Sequence, residues 1–451
     1  MRIKLGIPMT LGEISVAIGG TLRSRADTLI THICTDTREI ASGDLFFPLS
    51  GKNFDGENYV DEALKKSCFS VTSRHTSGDI LLSNTNDALL DFARYYNKNL
   101  PYIIYRIGIT GSVGKTTTKE FLKILLSGKY KVHASEGNFN NEIGLSLSIL
   151  STPPDSQILL MEMGMNHKGE ISKLSKCLMP DIAIITNIGT AHIGNLGSRE
   201  AIASAKLEVL DGMKNGSLIL PKNEALLSNK KDSYYVSLQN SHADFSVYSD
   251  NSKEISILKQ GNIYCKAHFV FVEKHHLECL LFSSAAAILT GVSPIQLSKS
   301  ISMISTDNIR QTVISREGYH FYTDFYNASF ESISASFESV KNLNIGNKKH
   351  LLLGDVLELG DMSVKMHYKI GNHIPVSLFE HIFLFGEFAE QTMQGAIDSG
   401  FSKEQIHINT DPLSPGITAT QIRNFCEKGD LISMKASRSI KLERVLEYFD
   451  L

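Results

Sequence analysis

Apolar residues along this 451-residue chain fall into short runs separated by stretches of helical period, the pattern of strands covered by helices. The run Tyr102, Ile103, Ile104, Tyr105, Arg106, Ile107, Gly108, Ile109 predicts a strand, and it leads through Thr110, Gly111, Ser112, Val113, Gly114, Lys115, Thr116 and Thr117 into a helix ending near residue 126. Apolar strands at 157–163 and 182–187, with helices between them, predict a parallel sheet buried on both faces. Upstream, weaker signals predict strands at 30–36, 43–49 and 69–72 and a helix at 60–66. Downstream, 213–270 is more polar and alternates at Phe245, Val247, Tyr248, Ile255, Ile257 and Leu258, which predicts antiparallel strands at the side of the central unit, closed by a buried helix at 277–290.

From about Asn308 the alternation resumes. It predicts strands at 320–324, 350–353, 381–385, 405–408 and 430–434 and helices at 331–343, 389–399, after Thr418 and at 438–449. The expected fold is α/β in three domains: a small α/β unit at 1–100, a central phosphate-loop parallel-sheet unit at 101–307, and a Rossmann-like unit at 308–451. The length agrees, at roughly 150 residues per domain.

A net charge of -3 supplies no basic field, so nucleic acid is not an expected partner. The six cysteines are scattered without a C-x-x-C pair, which fits a reducing cytoplasm. Residues 1–10 hold no apolar core of signal-peptide length, and 279–292 is too short and too interrupted by serine to span a bilayer; no membrane insertion is expected.

The chemistry starts at Thr110–Thr117. Glycines there let backbone N–H groups turn inward on phosphate oxygens, Lys115 can reach the β- and γ-phosphates, and the Thr116 hydroxyl suits Mg²⁺, which together point to ATP. The longer G-x-x-x-x-G-K-[ST] form would need glycine at 109, where the chain has Ile109. Glu162 closes the next apolar strand, where open α/β sheets place ligand-binding groups, and its carboxylate can share Mg²⁺ with Thr116. His192 follows Thr186, Asn187, Ile188, Gly189, Thr190 and Ala191 on the same rim, either as a ligand of a second cation or as a structural histidine in a hydroxyl-rich loop. Lys206, on a helix predicted at 198–213, reads by its pattern as a solvated lysine on a polar face. The string Asn229, Lys230, Lys231, Asp232 spells the guanine-reading N-K-x-D, yet it follows no apolar strand and has no D-x-x-G partner on the rim.

These features together resemble the Mur ligases, ATP-dependent amide-bond formers of peptidoglycan precursor synthesis, over essentially the whole chain. Gly137, Asn138, Phe139, Asn140, Asn141, Glu142, Ile143, Gly144 and the string from Glu162 to Ile171 are similar to those members that add D-alanyl-D-alanine to UDP-N-acetylmuramoyl-tripeptide. So are Asp324 to Ser329, Gly354 to Gly360, and, at the amino end, Thr35 to Arg38 and Gly51 to Gly56.

The resemblance implies that Gly108 to Thr117, Arg310, Asp324 and Asn327 bind ATP. It implies that Thr116 and Glu162 hold one Mg²⁺, and that His192 with a carbamylated Lys206 holds a second. Lys115, Glu162, His192, Lys206 and Arg310 would carry catalysis. Asp36, Arg38, Asn53 and Asp55 in a UDP-sugar-binding unit, with Asn138, Asn140, Asn141, Asn166 and His167, would contact substrate. It further implies a cytoplasmic monomer whose third unit closes over the second, bringing Arg310 and the Asp324 loop inward.

Several positions depart from the family strings. Cys279 replaces the asparagine of an H-x-x-x-N near adenine, Ile309 a glycine, Ser329 and Phe330 an Asn-Pro, and Ala436 the glycine of a K-G-S-R. Two other readings stay open on the residues: a folylpolyglutamate-type carboxylate–amine ligase, and a non-catalytic nucleotide-binding regulator on the same scaffold.

Overall fold

The computed structural model describes residues 1–450 apart from 52, 53, 67, 75, 76, 84, 86, 239–241, 250–252, 272, 306–311 and 325–327. Nine described strands form the central sheet, in the order Val132–Ala134, Ile158–Glu162, Tyr105–Thr110, Ile182–Ile185, Ser217–Pro221, Ser233–Ser237, Phe245–Ser249, Glu254–Lys259 and Asn262–His268. Pairing is parallel from the first to the seventh, and only the last two joins are antiparallel. The expectation of antiparallel strands throughout 213–270 is therefore corrected. Alternation reports that a strand is half covered, and it carries no information about direction.

The strand side chains divide between two cores. Ile107, Ile109, Ile158, Leu160, Ile182 and Ile184 face the helices Lys115–Ser127 and Lys274–Leu289. Leu159, Met161, Ala183 and Ile185 face the helices Glu142–Leu150 and Glu170–Leu178, in a cluster that also takes in Ile3, Leu11, Phe47 and Phe92 of the first hundred residues. Asn97 pins this seam: its fully buried amide donates to the carbonyls of Cys177 and Leu178 at 2.9 and 2.8 Å, and its oxygen accepts from Arg106 Nε at 2.8 Å.

In the first sheet the strand expected at 43–49 shrinks to Leu45–Phe46. Asp44 is turned out of the ladder to accept from Ala41 N and Arg2 Nε, and Pro48 has no N–H to donate. The third sheet runs Thr312–Arg316, Tyr319–Asp324, Leu431–Lys435, Lys349–Gly354, Ile382–Phe385, Ile406–Asn409. Its first strand was not foreseen; it is an antiparallel edge joined to the second by Glu317 and Gly318, both at positive φ, as a tight hairpin needs. The helix expected at 438–449 is instead two tighter 3₁₀ segments, Arg438–Ile440 and Leu442–Tyr448, because Lys441 at φ 53° interrupts the chain and burial recurs at Leu442 and Val445, three residues apart. The helix expected at 198–213 likewise ends at Leu207 and continues as a 3₁₀ turn.

At one edge of the third sheet His350 and His407, on the strands Lys349–Gly354 and Ile406–Asn409, flank His381 just before Ile382–Phe385, His407 Nε2 lying 3.1 Å from His381 Nδ1 and its ring stacking on Phe425 at 3.8 Å. Burial, with the like charges of His381 and His350, pulls His407 down from 6.5 to about 4. The folded state thus favours the neutral ring, so its contribution is present above pH 6.5 and is lost as pH falls from 6.5 towards 4. Thermal melts across that window should show stability declining with acidification, and His407→Phe, which keeps the stacking, should flatten the decline; an unchanged slope would assign it to other groups.

Candidate active site

The strand Tyr105–Thr110 stops at Thr110 with Ile109 fully buried in the core, paired with Glu162 on one side and Ile184 on the other. Ile109 is thus a strand residue, and the phosphate loop is the shorter T-G-x-x-G-K-T. Both of its glycines are required. Gly111 has φ +146° and a Cβ there would lie 1.9 Å from Thr186 Oγ1; Gly114 has φ +84° with Cys279 Sγ 3.2 Å from the same point. The helix Lys115–Ser127 then begins without a side-chain cap, leaving its first amides open to an anion.

The neighbouring strand end braces the loop. Asn187 Oδ1 accepts from the amides of Ser112 and Val113, each at 2.9 Å, Thr186 Oγ1 donates to Val113 O at 2.6 Å, and Ser112 Oγ accepts from Gly189 N at 2.9 Å. Lys115 Nζ donates to Gly111 O at 2.7 Å. Asn187 was missed as a functional residue, because it sits in a hydroxyl-rich string with no period or motif of its own.

Thr116 Oγ1 donates to Glu162 Oε2 at 2.7 Å, and Asn140 Nδ2 donates to Glu162 Oε1 at 2.9 Å. The loop hydroxyl, the strand-end carboxylate and one asparagine of the 137–144 string therefore meet. Lys206 overturns its reading as a solvated lysine: it is 2% exposed, on the inner face of Arg199–Leu207. Burial first, then the like charge of Lys115, hold its amine far below the usual lysine range. His192 stands at φ 63° with Nδ1 2.6 Å from Glu358 Oε2 of the third unit. His192 in turn holds Glu358 below the ordinary carboxylate range, mainly through that hydrogen bond, with His167 adding its charge.

The other expected residues lie in varied places. Asn141 caps the helix Glu142–Leu150, accepting from Gly144 N at 2.8 Å, and the Asn138 carbonyl accepts from Asn140 N at 2.7 Å. Asn166 and His167 donate backbone N–H groups to Glu170 Oε2. Asp36 pairs with Arg38 at 2.5 Å and Asp55 with Arg74 at 2.7 Å in the first unit. Asp324 pairs with the nearly buried Lys435 at 3.0 Å, a partner that the sequence reading did not propose. Gly108 is a buried strand residue beneath Met163, upstream of the loop. Asn53, Arg310 and Asn327, with Ile309, lie outside the described residues.

Cys279, read as standing near adenine, is buried behind the loop with Sγ 3.8 Å from Gly114 O, and burial pushes its thiol up to about 12. The nearest cleft is lined instead by Asn187, Lys222, Asn223, Lys274 and Glu278. Asn229 and Asp232 occupy a turn at φ 54° and 53°, which accounts for the N-K-x-D spelling without a base site.

Fold and loop define an α/β nucleotide-loop protein whose strand ends carry a carboxylate, a histidine and a buried lysine. Residues 109–287 match the Mur ligase middle domain. The chain is 34% identical to the UDP-N-acetylmuramoyl-tripeptide–D-alanyl-D-alanine ligase of Bacillus subtilis, covering 98% of both chains. It is 30% identical to the same-named protein of Rickettsia prowazekii, over 97% of this chain and 98% of that one. Among solved structures, MurF from Acinetobacter baumannii superposes with a TM-score of 0.88 at 25% identity over 99% of both chains. The Thermotoga maritima MurF ligase, in complex with ADP, superposes at 0.76 with 27% identity over 92% of this chain and 96% of that one. The chain belongs to the Mur ligase family.

Replacing Asn187 with alanine should leave the amides of Ser112 and Val113 without their acceptor and cost about 1–3 kcal/mol of loop order. Calorimetric titration with ADP should show weaker binding; an affinity equal to wild type would mean that the loop keeps its shape without the brace.

Proposed function

We propose that this chain is an ATP-dependent ligase that joins D-alanyl-D-alanine to UDP-N-acetylmuramoyl-tripeptide in peptidoglycan precursor synthesis, through an acyl phosphate and with release of ADP and phosphate. The observation that carries this reading is the chain of contacts from Thr116 through Glu162 to Asn140, at 2.7 and 2.9 Å, joining the nucleotide loop to the string that marks this substrate class. The full-length similarity to ligases of that name supports it.

In the first step a carboxylate oxygen of the tripeptide attacks the γ-phosphorus, the bond to the bridging oxygen breaks, and ADP leaves. The amine of the dipeptide then attacks the acyl carbon, phosphate departs with the C–O electrons, and the nitrogen loses a proton. Lys115 and the open amides of the helix Lys115–Ser127 would offset charge on the transferring phosphoryl group. Arg310 would meet the phosphates, and Asp324 with Asn327 the nucleoside. Asn138, Asn140, Asn141, Asn166 and His167 would hold the muramoyl peptide, and Asp36, Arg38, Asn53 and Asp55 the uridine nucleotide. The same proposal includes the division at 100/101 and 307/308 and a cytoplasmic monomer, for which the six buried free thiols are support.

The donor set fits Mg²⁺. Thr116 and Glu162 present hard oxygens 2.7 Å apart, a spacing suited to sharing a small cation. His192 and Lys206 would hold a second ion. A buried lysine that favours its neutral amine is the form that adds CO₂: the Nζ lone pair bonds to carbon, one N–H proton leaves, and an anionic carbamate remains. When bound, the cations would supply charge neutralisation on the phosphoryl oxygens.

ADP release should require both the UDP-muramoyl tripeptide and D-alanyl-D-alanine; release independent of the dipeptide would reject this assignment in favour of another amine acceptor. Lys115→Ala should lower turnover by at least about 10²-fold with an unchanged melting temperature. With carbon-labelled bicarbonate, NMR should show a carbamate resonance that Lys206→Met removes, and a spectrum without it in the wild type would leave the second seat without that ligand.

A further inference from the structure

Eight described non-glycine residues stand at positive φ, mostly at turns and element ends. Two of them, His192 at φ 63°, the N-cap of Ile193–Leu196, and Glu358 at φ 65°, meet side chain to side chain, Nδ1 to Oε2 at 2.6 Å, across the join between the central and third units. At that distance two lone pairs would repel, so the contact favours the tautomer with the proton on Nδ1, facing the carboxylate, and Nε2 as the lone-pair nitrogen. Carboxylate, imidazole and metal in series is the arrangement by which proteins fix the ring and tautomer of a ligating histidine. The join has further pins. Glu331 accepts from Thr190 N at 2.9 Å and from Thr190 Oγ1 at 3.1 Å, and Gly194 lies so close to the loop that a Cβ would come within 2.3 Å of the Leu359 carbonyl carbon.

We propose that Glu358 is a positioning residue: lent by the third unit, it fixes His192 with Nε2 as the ligating nitrogen, so the second cation seat is complete only when the loop Val356–Gly360 is docked. The contact ties occupancy of the cation seat to the placing of the third unit. This inference rests on the ligase reading above.

The test uses the full chain, the non-hydrolysable imido analogue of ATP, and Mn²⁺ counted by paramagnetic resonance. Wild type should bind two ions of unequal affinity. Glu358→Ala should weaken the weaker one by about 10–100-fold and leave the stronger one within a few-fold. Glu358→Gln, whose amide oxygen still accepts from Nδ1–H, should recover most of the loss. Glu331→Gln trims a different contact of the same join while Glu358 can still reach His192, so it should weaken the weaker ion by less than Glu358→Ala does. In the metal-free protein, hydrogen exchange at residues 190–194 should quicken in Glu358→Ala and stay near wild type in Glu358→Gln. Unchanged affinity in Glu358→Ala overturns the proposal, as does an equal loss in Glu331→Gln or binding of a single ion by the wild type. Loss of the dipeptide requirement for ADP release in the wild type would instead overturn the ligase assignment, and the Mn²⁺ comparison reads out independently of it.

Discussion

Three parallel strands that end level with one another decide where the chemistry of this molecule can occur. Glu162 stands beside Ile109, and Ile109 beside Ile184. Whatever follows each strand must therefore emerge on one rim. The phosphate loop, the carboxylate with its glycine-rich tail, and the Thr186–His192 segment are neighbours because the ladder hydrogen bonds leave them no other place. Polar groups at that rim satisfy one another: Asn187 holds the loop, and Thr116 and Asn140 hold Glu162. The buried lysine arrives from the helix Arg199–Leu207, where burial disfavours its charged form.

Much of this frame was legible in the residues. Apolar runs marked Ile158–Glu162 and Ile182–Ile185 because strands buried on both faces cannot be polar, and Lys115 and Glu162 were found because chemistry at strand ends uses few residue types. The failures share a cause. Lys206 looked solvated since burial is a property of what packs over a helix, and nothing in its own turn reveals the neighbour. Asn187 and Glu358 act through contacts 75 and 166 residues away in sequence, beyond any local period. The edge strand Thr312–Arg316 and the broken end at Lys441 depend on positive φ at Glu317 and Lys441, residue types that do not announce a left-handed turn.

Several residues that look out of place in the motifs answer to packing. Ile109, Cys279 and Ala436 are packing residues: Ile109 is core, the Cys279 thiol fills space behind Gly114, and the Ala436 Cβ rests where a Cβ at Gly354 would come within 2.8 Å. Asp355, which matches its family string, is structural as well. It accepts from the amides of Glu387 and Phe388 and stands beneath Gly386, and burial raises it to about 6. Its carboxylate staples two loops of the third unit, so an acidic residue in a motif is not by itself a reacting group.

The shared core described for the first hundred residues has a mechanical consequence. Parting them from the central sheet would expose Phe92, Leu145, Leu174 and their neighbours to water, at about 25 cal/mol for each Å² of apolar surface. Among the described residues, the third sheet meets the central unit through the His192–Glu358 and Thr190–Glu331 contacts, the close backbone approach of Gly194 to Leu359, and Ile193 packed against its core. The first and central sheets therefore form one packed body, a heavy bench, and the third sheet lies against it at a join whose polar edge carries Glu358.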